Sequence, residues 1–103
     1  MLIVNSINGV PIRLTEERWQ HITGRHPEMG TLREMVLETV AEPDMIQEGD
    51  FDEFLAVRLY PRTPLTRKYL IVAYRETEPR DGFILTAYLA AKASVRRKVL
   101  WKR

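Results

Sequence analysis

Apolar positions change their spacing several times along this chain, and each change marks an element. Leu2–Val4 and Val10–Leu14 are short apolar runs flanking Asn8-Gly9, a dipeptide tolerant of positive φ, which predicts a hairpin. Thr15 is a good helix N-cap, and Glu16 and Glu17 suit the positively polarised first turn that follows. Gly24 reads as the C′ residue of this first helix, placing His21 in its last turn. Pro27 pushes His26 out of the α region. A second helix is predicted from about Thr31 to Ala41, with Leu32, Met35, Val36, Thr39 and Val40 as its apolar stripe. Glu42-Pro43 ends it.

Beyond Pro43 the period shortens to two. Met45–Glu48 is a short strand. Phe54–Tyr60 alternates, with Leu55, Val57 and Leu59 on one face and Phe54, Ala56, Arg58 and Tyr60 on the other. Lys68–Arg75 is apolar on both faces, as in a central strand. Asp81–Lys92 predicts a strand with Phe83, Leu85, Ala87 and Leu89 on one face and Thr86 and Tyr88 on the other. Pro61–Arg67 is a loop, and Glu78–Gly82 a turn. Ser94–Trp101 fits either a terminal helix or an edge strand. Strands without long crossovers pair antiparallel. The expected architecture is therefore one α+β domain over residues 1–103, two N-terminal helices covering one face of a four- to five-stranded antiparallel sheet. Trp19 and Trp101 are expected in the core or at its rim.

Composition narrows the class. A chain of 103 residues supports one core, and 45% hydrophobic with 29% charged residues is ordinary globular usage. No apolar run approaches the roughly 20 residues that span a bilayer. The start, MLIVNSINGVP, lacks the basic region and the apolar length of a signal peptide. Zero cysteines exclude disulfides and thiolate metal sites, and fit a cytoplasmic protein.

Charge is unevenly distributed. All 14 acids lie at or before Asp81, eight of them between Glu34 and Glu53, where no base occurs. Lys92, Arg96, Arg97, Lys98, Lys102 and Arg103 follow with no acid among them. Such polarity can orient an anion, although a solvated tail balanced by an acidic surface is the plainer account. With Leu55, Val57 and Leu59 turned toward the helices, the open sheet face would carry Arg58, Tyr60, Tyr69, Arg75, Thr86 and Tyr88. Guanidiniums and phenols on one pleated surface suit a sugar–phosphate backbone with stacked bases. Tyr60, Lys68, Tyr69, Arg75, Lys92, Arg96 and Arg97 are the expected RNA contacts.

Both histidines lie within HITGRH, His21 to His26. Five-residue spacing differs from the i, i+4 pair that shares a metal, and Glu28 is the only carboxylate near, so neither a metal nor a cofactor is expected. The ordinary reading is that His21 bonds a helix-end carbonyl while His26 stays in solvent. The sharper one is acid–base chemistry on RNA: a base for the 2′-hydroxyl, an acid for the 5′-oxygen, and fixed positive charge at phosphorus. His21, His26, Arg58, Thr86 and Tyr88 are the expected catalytic set.

RLTEERWQHITGRHPEM, a helix ending AEPDMI, KYLIVAYRE and GFILTAYLA resemble small phage- and plasmid-borne proteins of the barnase–EndoU–colicin–RelE-like nuclease superfamily. The resemblance covers about Arg13 to Trp101. It implies a metal-independent endoribonuclease, often the toxin of a toxin–antitoxin pair. His21 would match the helix-1 histidine and Thr86 the hydroxyl of the late strand, with Tyr88 and either Arg58 or Arg75 completing the set. No glutamate falls on the expected open face, where barnase carries its base. Two further readings stand beside this one: an RNA-binding module without turnover, and a domain that docks an acidic antitoxin or inhibitor through Leu100, Trp101 and the basic tail.

Overall fold

The structure, a computed structural model, describes all of residues 1–103. The chain runs β1 (Leu2–Asn5), β2 (Pro11–Leu14), α1 (Glu16–Arg25), a 3-10 turn (Pro27–Thr31), α2 (Arg33–Ala41), β3 (Met45–Glu48), β4 (Phe54–Tyr60), β5 (Lys68–Glu78), β6 (Asp81–Ala90) and β7 (Val99–Lys102). Gly9, at φ +76°, closes the β1–β2 turn as Asn8-Gly9 predicts. Thr15 caps α1 by accepting from the Arg18 N–H at 3.1 Å. The helix does not stop at Gly24. It includes Gly24 and ends at His26, whose N–H bonds the Ile22 carbonyl at 2.8 Å. Pro27 supplies the stop, and it also starts the 3-10 turn, where its missing N–H goes unneeded.

The protein is α+β, but the sheet is larger than expected and mixed. Seven strands lie in the order β1-β2-β6-β5-β4-β3-β7. The N-terminal hairpin joins it through β2, which runs parallel to β6, and the basic C-terminal segment ends as edge strand β7. Both helices and the 3-10 turn bury their apolar sides on one sheet face. Trp19, Ile22, Met29, Leu32, Val36 and Val40 meet Ile12, Ala56, Leu70, Val72, Tyr74, Ile84 and Ala87 in one core.

The far face is not an open polar platform. Leu55, Val57, Ile71 and Ala73 form a second buried cluster there, against which Met45, Tyr69, Leu85, Tyr88 and Ala93 pack. Residues 91–98 cross this face on their way from β6 to β7, and Gln47 donates from its amide to the Ser94 carbonyl at 2.7 Å. The crossing explains the misplaced phase of β4. Both its faces need apolar side chains, so alternation alone assigns neither to the helices. Ala56 and Tyr60 face the helices, and Leu55 and Val57 face the crossover.

Strand β6 departs from strict alternation. Ala73 pairs with Thr86, but Tyr74 pairs with Ile84, leaving Leu85 as the extra residue of a β-bulge. Leu85 and Thr86 therefore both turn away from the main core, while Ile84 and Ala87 enter it. Trp19 is buried as expected, whereas Trp101, on edge strand β7, is 37% exposed. No helix is long and apolar enough to cross a membrane.

Candidate active site

A cleft of about 490 Å³ opens where α1 meets the far face of the sheet. Its position follows from the short β2–β6 pairing, which covers only Ile12↔Gly82 and Arg13↔Phe83. Past that point α1 and the 3-10 turn take the flank of β6. A helix packed on one side of the sheet can thus send side chains around to the other. Gly82 marks the departure point. A Cβ there would collide with the Arg75 carbonyl and lie 2.6 Å from Ile12 Cδ1, so only glycine fits between the three strands.

Four segments supply the walls. Arg18, His21 and Arg25 come from one stripe of α1, spaced i, i+3 and i+7, away from buried Trp19 and Ile22. His26 follows from the cap. Its ring lies 5.9 Å from that of Tyr88, inclined at 34°, and its Nδ1 is 3.6 Å from the Glu28 carboxylate. The bulge turns Leu85 and Thr86 inward, Tyr88 follows two residues on, and Arg75 comes from neighbouring β5. Glu53 completes the site from the β3–β4 loop.

The electrostatics favour an anion. Three guanidiniums and two imidazoles face a single carboxylate. Arg75 is held by donation to the Phe51 carbonyl at 2.8 Å, and its buried Nε–H has no acceptor within the protein. Burial pushes the Tyr88 phenol upward, nearby Glu53 and Asp50 add to this, and Arg97 opposes it. Tyr88 therefore stays protonated at neutral pH and acts as a hydrogen-bond donor. Because α1 runs on to Arg25, His21 sits mid-helix and His26 takes the cap position at its carboxyl end.

Of the residues expected from sequence, the cleft brings together His21, His26, Arg75, Thr86 and Tyr88. Arg58 and Tyr60 lie on the opposite face of the sheet and are corrected here. Arg58 donates to the Glu42 carbonyl at 2.9 Å, lies within 3.7 Å of the Glu38 carboxylate and stacks over Tyr60, fastening the end of α2. The Tyr60 hydroxyl donates to Glu38 at 2.7 Å, and burial pushes its pKa up to about 12. Lys68 pairs with Tyr60 and shares its face, while Tyr69 packs on the far-face cluster outside the cleft. Lys92 and Arg96 are exposed on the crossover, and Arg97 pairs with Asp50 at 3.3 Å. Arg103 lies 3.9 Å from Asp44, so the basic tail partly neutralises the acidic stretch, the plainer account of its charge.

Sequence reasoning missed Arg18, Arg25 and Glu53. The two arginines were legible as the i−3 and i+4 neighbours of His21. Glu53 has the same parity as Leu55 and Val57, so assigning their face correctly would have carried it to the far side. Glu53 reaches the cleft from the β3–β4 loop rather than from a strand of that face. No group of three or more His, Asp or Glu side chains is placed to hold a metal ion. Compared with protein-family models, with curated proteins and with solved structures, the chain gave no match in any of the three.

Proposed function

We propose that this cleft binds single-stranded RNA and cleaves it without a metal, as a RelE/barnase-like endoribonuclease. One observation carries the reading: His21 from a helix, Glu53 from a loop, and Arg75, Thr86 and Tyr88 from adjacent strands border one cationic hollow. Those are the groups that transesterification of RNA requires. Glu53 accepts the proton of the 2′-hydroxyl, whose oxygen attacks phosphorus. The bond from phosphorus to the 5′-oxygen breaks, and His21 delivers the proton that this oxygen takes up. The products are a 2′,3′-cyclic phosphate and a 5′-hydroxyl. Arg75 stabilises the charge building on the phosphoryl oxygens, with Thr86 and Tyr88 as neutral donors to them. The helix-borne His21 and the late-strand Thr86-Ala87-Tyr88 also support the likeness to that nuclease superfamily.

The test is incubation of single-stranded RNA and its DNA counterpart with the protein in EDTA. RNA fragments ending in 2′,3′-cyclic phosphate, lost in His21→Ala and Thr86→Ala, are the expected result. DNA has no attacking hydroxyl and stays intact. Intact RNA, or cleavage unaffected by either substitution, overturns the proposal.

A second reading has its own observation. Strand β7 leaves Leu100 and Trp101 exposed on a free sheet edge among Lys98, Lys102 and Arg103. An acidic inhibitor strand could add there, and Trp101→Ala would then weaken its binding while leaving RNA cleavage unchanged.

A further inference from the structure

The seven-stranded sheet ends in two free edges, β1 and β7, and the chain treats them differently. Both expose apolar side chains in an unbroken run. Val99, Leu100 and Trp101 form the run on β7, and Met1, Leu2 and Ile3 the run at the start of β1. A free edge is a template for another strand, and proteins usually blunt it with charge, proline or a bulge. Strand β7 carries such a guard. Lys98 and Lys102 bracket its apolar run, Arg103 follows, and its pairing with β3 is interrupted by a register shift. Strand β1 has neither a charge nor a proline, and its four residues pair with β2 in continuous register.

Burial at β1 is incomplete on both of its surfaces. Val4 lies opposite Ile12 and Leu2 opposite Leu14, so their side chains turn toward the main core, yet Leu2 stays 38% exposed. Ile3 lies opposite Arg13 on the other surface and is 55% exposed. Arg13 is neutralised by Asp81, which accepts from its Nε at 2.8 Å and from its Nη2 at 3.1 Å. The edge thus offers backbone without a partner strand, with aliphatic side chains above and below it, and the guanidinium beside Ile3 is already paired. A polyanion gains nothing from such an edge, whereas an apolar strand does.

We propose that β1 is a self-association edge, on which a second copy of this chain adds its own β1 antiparallel. A two-fold axis perpendicular to the sheet passes near Ile3, so each copy gives and receives the same contacts and the assembly closes as a dimer. Charge decides for a second copy in this arrangement. Strand β1 against β1 brings together only apolar and amide side chains. Strand β7 against β7 would set Lys98, Lys102 and Arg103 of two copies side by side, which like charges oppose. Strand β1 against β7 would leave a free edge at each end and grow into a fibre. The axis preserves the two sheet faces, so the helices of both copies cover one side of a continuous sheet. Four residues a side make a small interface, and the dimer dissociates in the micromolar range.

Sedimentation velocity over a micromolar-to-millimolar concentration series measures the assembly. Wild type should pass from monomer to dimer and go no further. Ile3→Lys sets like charges across the axis and removes the aliphatic contact, so it should weaken the dimer by more than about tenfold. Ile3→Glu should do the same, and an equimolar mixture of the two variants should recover a dimer, because the opposed charges then attract. Ile3 lies outside the core, so both variants keep the fold, which circular dichroism verifies. Leu100→Lys on β7 should leave the dimer intact. The proposal is overturned by a wild type that stays monomeric or grows beyond a dimer. A dimer indifferent to both Ile3 variants, or one that Leu100→Lys dissociates, overturns it equally.

Discussion

Replacing Gly49 by alanine should disable the cleft from outside it. A Cβ at Gly49 would lie 2.5 Å from Glu53 Cγ and 2.9 Å from the Glu53 carbonyl oxygen. Carbon atoms in good contact sit about 3.5–4.0 Å apart, so Glu53 must retreat by about 1 Å. The side chain alone could swing aside, but the carbonyl belongs to the backbone and is tied to the Gly49 N–H. The whole Glu53 residue therefore moves. Displacing a proton acceptor by about 1 Å can cost about 100-fold in rate. The crowding should also remove about 1–3 kcal/mol of stability. The assay is kcat/KM on single-stranded RNA well below the melting temperature, for wild type, Gly49→Ala, Glu53→Gln and the double variant. If Gly49 acts through Glu53, the alanine should add little in the Glu53→Gln background. Wild-type kcat/KM in Gly49→Ala, or full additivity in the double variant, refutes the reasoning.

The opposite outcome is expected at Gly24, which lies inside α1 with nothing within 4 Å of an added Cβ. Gly24→Ala should stabilise the protein by about 0.5–1 kcal/mol, read as a higher midpoint in urea. Arg58→Ala should lower stability by about 1 kcal/mol through the end of α2 and leave RNA cleavage unchanged, whereas Arg75→Ala should abolish cleavage; kinetics and thermal melts on the two variants separate these effects. Alkaline stability should begin to fall near pH 10. Burial raises the Tyr60 pKa to about 12 and lifts Tyr74 as well. The folded state therefore keeps protons that the unfolded chain loses above about pH 10. Below that pH the contribution is complete, and through pH 10–12 it drains away. Urea midpoints measured from pH 8 to 12 should show this fall, with a shallower slope in Tyr60→Phe.

Element order was largely readable from the sequence, because caps, prolines and apolar periods are local signals. Thr15, Asn8-Gly9 and Glu42-Pro43 mark boundaries where the structure has them. Face assignment was not, because it depends on what covers each side. The strand FLAVRLY is apolar in both phases, and only the crossing of residues 91–98 decides that Leu55 and Val57 belong with it. That one inversion carried Arg58 and Tyr60 into the expected site and kept Glu53 out. The bulge at Leu85 escaped for a related reason. A single extra residue leaves no mark in a run as evenly apolar as GFILTAYLA, and partner strand β5 alone reveals the slip. Gly24 misled because glycine ends helices often but is not forbidden inside them, and Pro27 was already a sufficient stop. Thr86 and Tyr88 were placed on their correct side because both lie past the slip.

Two residues of ladder between β2 and β6, then none, decide which side chains of this molecule can meet. A sheet is ordinarily a wall: side chains on its two surfaces never see each other. Here the wall stops short and leaves a doorway beside β6, through which groups anchored on opposite sides share one volume of solvent. Extending that parallel pairing by another turn's length of chain would brick the doorway up with backbone. α1 would lose its place against β6, and His21 and Thr86 would be strangers.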